Sequence, residues 1–121
     1  MLQVKSILDV ADNTGARTVS MFGVLGFSNK RYARIGDIVR ASVKKVLPGA
    51  PLKRGDKVKG VVVRTRNPFR REDGTWVRFD SNAIVLLDDE LKPRGTRVFG
   101  AVPRELRKNY MRIITLAAEV V

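Results

Sequence analysis

Between Arg64 and Asp80 the chain reads RTRNPFRREDGTWVRFD, and the side chains best suited to chemistry gather there. Arg64, Arg66, Arg70, Arg71 and Arg78 are interleaved with Phe69, Trp76 and Phe79 around Asp73-Gly74. A guanidinium presents a flat fork that matches phosphate oxygens and also stacks on planar rings. Such a segment is suited to holding anions, phosphate first among them. Asp-Gly favours a two-residue hairpin turn, because both central positions want positive φ. The arms are too polar to be core along their whole length, so the segment reads as a ribbon projecting from something larger. Pro68 has no N–H to give and should interrupt the ladder on its arm. A solvent-washed hairpin whose aromatics pack across the strands would use the same residues.

No catalytic constellation accompanies it. The 121 residues include no Cys and no His. That removes thiolate nucleophiles, disulfides, Cys/His zinc sites and the His-dependent serine triad. Neither of the usual glycine-rich phosphate loops occurs. Asp88-Asp89-Glu90 offers oxygens to a hard cation but lacks the spacing of a calcium loop. It reads as an exposed acidic turn ahead of Pro93. Asp9 and Asp12 fall at a strand end and in a turn, and nothing local marks either as perturbed. We expect no enzyme, no cofactor, no metal and no small-molecule substrate.

Charge points to the partner. Lys and Arg number 24 against 12 Asp and Glu, a formal net charge of +12. Between residues 40 and 71, Arg40, Lys44, Lys45, Lys53, Arg54, Lys57, Lys59, Arg64, Arg66, Arg70 and Arg71 face Asp56 alone. A second basic block spans 92–112, and an acidic stretch separates the two. One carboxylate cannot screen the first block, so neutralisation by phosphates with counterion release is the cheapest explanation. An acidic lipid surface would satisfy the same arithmetic, but no basic amphipathic helix is visible to lie on it. The longest unbroken apolar run, Ala83 to Leu87, is far short of the ~18 residues of a membrane helix. The first ten residues carry no apolar signal region, and zero Cys suits a reducing compartment. A cytoplasmic protein with no membrane partner is expected.

The elements that must position these side chains are mostly strands. Val39, Ala41 and Val43 alternate with Arg40, Ser42 and Lys44, which gives a half-buried strand with a basic outer face. Segments near 6–10 and 18–25 read as strands as well. Val61-Val62-Val63 and Ala83–Leu87 are apolar throughout, as strands buried on two sides would be. Gly36-Asp37 and Gly55-Asp56 each open an alternating strand, with Gly supplying positive φ and Asp bonding the backbone. Helix is confined to the end, where Leu106, Tyr110, Ile113 and Ala117 fall on one face after Pro103. This is one short helix or two turns broken near Asn109, and either would plug a barrel end. The fold class is all-β: a small closed five-stranded barrel with a projecting ribbon and short C-terminal helices. A single domain is expected, with the barrel over about 1–100, the ribbon over about 64–80 and the helical segment over about 101–121.

Several motifs resemble a known family. LDVADNTGAR (8–17), NKRYARIGDIV (29–39), GVVVRT (60–65), DGTWVRFDSNAIVLL (73–87), PRGTRVFG (93–100) and RELR (104–107) are similar, in order, to the universal large-subunit ribosomal protein L-fourteen family. The signature is Gly60 to Val63, Asp73-Gly74, and then Phe79, Asn82 and Val85. The resemblance implies a structural protein that binds large-subunit rRNA and contributes to intersubunit bridges with small-subunit rRNA during translation. It implies ribosomal proteins L-three and L-nineteen as neighbours, and a ribosome-silencing factor as a docking partner. The implied location is the ribosome, cytoplasmic or organellar. Candidate rRNA-binding residues are Arg17, Lys30, Arg31, Arg34, Lys44, Lys45, Lys53, Arg54, Arg64, Arg66, Arg70, Arg71, Arg78, Arg104, Arg107 and Lys108. The intersubunit and silencing-factor face falls by resemblance on Thr96, Arg97, Arg112 and Thr115. Two departures from the family pattern, Pro103 before RELR and Ala118 before Glu119, both touch the C-terminal segment. A free-standing barrel that binds single-stranded nucleic acid is the alternative, and it would need an exposed platform of aromatic rings.

Overall fold

Alternating apolar residues build the strands of the computed structural model, which describes Leu2, residues 6–25 and residues 32–121. Four strands come first: β1 (Ile7–Val10), β2 (Ala16–Val24), β3 (Ile38–Val46) and β4 (Lys57–Arg64). Two short ones follow, β5 (Phe69–Arg70) and β6 (Trp76–Val77), and then β7 (Ala83–Leu87). β1, β2, β3, β4 and β7 close a barrel in that order. Neighbours are antiparallel except at the seam, where β1 runs parallel to β7 with Asp9 beside Ala83 and Val10 beside Ile84. Closure leaves the barrel without the exposed edges that a small sheet must otherwise protect.

Both predicted strand openings take the same form. Gly36 and Gly55 have φ of 89° and 91°. The Asp37 carboxylate accepts the Arg34 backbone N–H at 2.7 Å, and that of Asp56 accepts the Lys53 N–H at 2.9 Å.

The barrel interior is filled by Leu8, Val19, Met21, Val39, Ala41, Val43, Val58, Val62, Ile84 and Leu86. Gly60 sits among them because a Cβ there would meet Ile84 Cδ1 at 2.8 Å and the Val85 carbonyl oxygen at 3.1 Å. The opposite faces of β4 and β7 are buried too. Val61, Val63, Ala83, Val85 and Leu87 pack outward on Val98, Val102, Leu106 and Ile113. Two-sided burial is why these two strands read as unbroken apolar runs.

The C-terminal segment departs from the expected helix. β8 (Val98–Val102) takes in Ala101 and Val102, a 3-10 turn covers Arg104–Lys108, and α1 spans only Met111–Leu116. The break falls at Asn109 and Tyr110, so the two-turn alternative is the one realised. Ala117 opens β9 (Ala117–Val120), which pairs parallel to β8. The segment therefore covers the side wall of β4 and β7 and does not plug an end. A six-residue helix gains little from its own hydrogen bonds, whereas the edge of β8 offers the chain regular partners. Leu106 and Ile113 are still buried, as their spacing requires.

The ribbon is also shorter than expected. Its ladder holds only Phe69 opposite Val77 and Arg70 opposite Trp76. Its tip is not a two-residue turn: the Gly74 N–H donates to the Arg71 carbonyl at 3.0 Å, and the Arg71 N–H to that of Thr75 at 2.8 Å. Only Gly74, with φ of 88°, takes the left-handed conformation. The Asp73 carboxylate instead accepts the Thr75 N–H and hydroxyl at 3.0 and 2.6 Å. Asp73 thus stays at negative φ, and one extra residue is absorbed in the loop.

Asp12 closes the fold at a point the sequence did not mark. It is 5% exposed. One carboxylate oxygen accepts the Thr14 hydroxyl at 2.7 Å and the Thr14 N–H at 3.3 Å, and the other accepts the Leu86 N–H of β7 at 2.9 Å. Burial pushes its pKa above the ordinary 3.8, against the pull of those hydrogen bonds. The native state therefore holds the proton more tightly than the unfolded chain. The group's contribution is fully present below the ordinary pKa and declines as pH rises through the folded one. Asp12→Ala, which strands the Leu86 N–H, should lower the unfolding free energy by about 2 kcal/mol. Urea titrations across pH should show that gap widest in acid and narrower towards neutrality.

Candidate nucleic-acid interface

The outer wall of β3 and β4 carries the densest positive charge. Their register sets Arg40 directly opposite Lys59 and Ser42 opposite Lys57. Like charges opposed across a ladder repel, and they are tolerated here on a wall held rigid from inside. The ion pairs among the described residues lie elsewhere: Arg71 with Glu105, Lys92 with Glu90, and Arg104 with Asp73. Lys44 and Lys45 continue the wall on β3, and Lys53 and Arg54 stand exposed in the loop between the strands. A cleft of about 330 Å³ beside this wall is lined by Phe22, Arg40, Lys57, Lys59 and Arg94, with Asp88 and Asp89 at one side. Asp88 itself shapes the acidic turn, accepting the Glu90 and Lys92 N–H groups at 2.9 Å each.

Arg40, Lys57, Lys59 and Arg94 are absent from the candidates drawn from the sequence. The alternation of β3 would have placed Arg40 outward, but its pairing with Lys59 depends on register, which single-strand patterns do not encode. Arg17, Arg34, Arg66, Arg70, Arg78, Arg104, Arg107 and Lys108 are exposed, as are Lys44, Lys45, Lys53 and Arg54. Lys30 and Arg31 lie outside the described residues.

Two of the candidates turn inward. Arg64 Nη1 donates to the Phe99 carbonyl at 2.9 Å and to that of Ala101 at 3.4 Å. Gly100 has φ of 78°, and a Cβ there would occupy the space the guanidinium fills. Arg64 is thus a strut between β4 and β8, and its partial burial pushes its pKa down. Arg71, only 11% exposed in its side chain, sets Nε 2.6 Å from Glu105 Oε1. Its Nη2 donates to the Val121 carbonyl at 2.7 Å, and the guanidinium lies 5.9 Å from the Phe69 ring centroid. Arg104 reaches Asp73 at 3.7 Å. The tip of the ribbon is therefore tied to the C-terminal segment, with Nη2 of Arg71 hydrogen-bonded to Val121 and its guanidinium paired with Glu105.

The resemblance-derived face is assembled from two places. Asn13, in the turn between β1 and β2, clamps one of them. Its carboxamide oxygen accepts the Thr96 and Arg97 N–H groups at 2.9 and 3.2 Å, and its Nδ2 donates to the Thr96 hydroxyl at 2.9 Å. Gly95 has no room for a Cβ beside that carboxamide. Asn13 looks from the sequence like a turn residue and nothing more, because its partners lie 83 and 84 positions away. The parallel pairing of Val98 with Ala117 then sets Thr96 and Arg97 at the same end of the small sheet as Thr115. Arg97, Arg112 and Thr115 are exposed, and the Thr115 hydroxyl donates to the Met111 carbonyl at 3.0 Å.

If Arg64 and Gly100 share one seat, their losses should not add. Arg64→Ala and Gly100→Ala should each cost about 1–3 kcal/mol of unfolding free energy. The double variant, measured by urea unfolding, should fall well short of the sum.

The family model for ribosomal protein L14p/L23e matches residues 1–121, from the first strand of the barrel to the last residue of the C-terminal segment. The chain belongs to the ribosomal protein L14p/L23e family.

Proposed function

We propose that the chain holds large-subunit rRNA through its basic barrel wall and presents its C-terminal face to the small subunit. As a member of its family it is a structural constituent of the large ribosomal subunit. The observation that carries the rRNA reading is Arg40 opposed to Lys59 in register, on a wall whose cations have no carboxylate partners in the ion pairs of the described residues. Folding such a wall costs self-repulsion that a phosphate backbone would relieve. Lys44, Lys45, Lys53 and Arg54 extend it. Arg34, Arg66, Arg70 and Arg78 would take backbone beside the ribbon, and Arg104, Arg107 and Lys108 beyond it. Many backbone contacts position RNA and add affinity without reading sequence.

Thr96, Arg97, Arg112 and Thr115 form the face we assign to bridges with small-subunit rRNA and, in competition, to the ribosome-silencing factor. Their exposure and the Asn13 clamp on the loop support that assignment. Phe99 on β8 and Met111 on α1, 50% and 58% exposed, give protein neighbours such as L-three and L-nineteen apolar surface to pack on. A ribosome-bound, cytoplasmic location follows from this reading.

Titration with an rRNA fragment over a range of salt tests the wall. Arg40→Ala with Lys59→Ala should flatten the salt dependence by roughly two counterions, at ~0.9 per phosphate contact on duplex. Arg70→Ala with Arg71→Ala should flatten it by only about one, because Arg71 is engaged internally. An unchanged slope in the first variant defeats the proposal. For the face, Arg97→Glu with Arg112→Glu should weaken binding of purified silencing factor roughly tenfold or more, with the rRNA titration unaltered.

A further inference from the structure

Trp76 is the chain's single tryptophan, and 65% of its surface is exposed. A large ring left bare on a short ribbon is a poor use of apolar area unless something covers it. Its cross-strand partner is Arg70, so the two side chains stand next to each other on one face of the ribbon. Arg34, from the turn that opens β3, lines the same groove of about 570 Å³, whose apolar floor includes Ile35 and Pro68. Among the described residues no Asp or Glu lines it. The Asp37 carboxylate accepts the Arg34 backbone N–H, and Arg34 itself is exposed.

We propose that this groove seats one unpaired nucleotide, its base stacked on Trp76 and its phosphates held between Arg34 and Arg70. The inference rests on the RNA-binding reading and adds what that reading lacks, a contact to a base. A flat apolar ring flanked by two cations fits a base with its flanking phosphates better than it fits a duplex, whose bases are already stacked. It also fits better than a protein surface would, since an acidic protein patch gives Trp76 no flat partner. One ring is too little for a free-standing single-strand binder but enough for a single base.

Because Trp76 is the only indole, its fluorescence reports this groove alone. A short single-stranded RNA should quench it, whereas heparin, a polyanion without bases, should bind and leave the emission unchanged. Trp76→Ala should weaken binding of that RNA roughly 5- to 100-fold with an unaltered salt slope, and Trp76→Phe should recover most of the loss. In assembled large subunits, ultraviolet cross-linking at Trp76 should yield a nucleotide adduct. Equal quenching by heparin, an unweakened Trp76→Ala variant, or a peptide adduct each overturns the base seat. If the Arg40 and Lys59 double variant still flattens the salt slope in those cases, the rRNA reading stands and only the seat falls. A chain with no salt-dependent RNA binding at all loses both.

Discussion

Positive charges held in register on a closed wall are the constraint around which this molecule is organised. Arg40 and Lys59 stand opposite one another because β3 and β4 are locked by what lies beneath them, Val39, Ala41, Val43, Val58 and Val62. A more open sheet could twist or slip to separate the two cations. A barrel closed at the β1–β7 seam cannot do so without breaking every ladder. The repulsion is therefore carried by the core, and burial of apolar area is the favourable contribution large enough to carry it. Gly60 belongs to the same device, since it lets Ile84 fill the interior tightly at the level of Lys59.

The layered burial of β4 and β7 links that wall to the opposite side of the molecule. Their inner faces fill the barrel and their outer faces receive Val98, Val102, Leu106 and Ile113. The basic wall and the C-terminal layer thus share one strand, β4. Arg64, reaching from the end of β4 to the carbonyls around Gly100, and the backbone bridge of Asp12 with Val98 fasten the second layer to the first.

Where a pattern is local, the sequence disclosed it. The alternation in β3, the two-sided runs in β4 and β7 and the matching Gly-Asp openings all follow from chemistry within a few residues. The remainder depends on partners far along the chain. Asn13 meets Thr96 across 83 positions, Arg64 meets Phe99 across 35, and Arg71 meets Glu105 across 34. No residue type announces such a partner, so the intrachain bonds of Arg64 and Arg71 are invisible in the sequence. The C-terminal helical turns are present but end at Leu116, for a related reason. Their spacing was right for Leu106 and Ile113, but the free edge of β8 competed for the backbone from Ala117 onward.

Charge counted from composition consequently overstates what is offered to a partner. Arg64 and Arg71 have partners within the chain, and Lys92 leans on Glu90. The exposed cations that remain for the proposed phosphate partner are set by position: outward on the β3–β4 wall, at the ribbon's flank, and along the 3-10 turn. Those regions share an exposed cation fixed to an element that the core holds still. A backbone of regularly spaced phosphates rewards that arrangement, because rigid cations lose less side-chain freedom on binding than flexible ones. The same argument explains why the ribbon is anchored at its tip. Arg71, bonded to Val121 and paired with Glu105, ties the ribbon to the C-terminal segment next to Arg70 and Trp76.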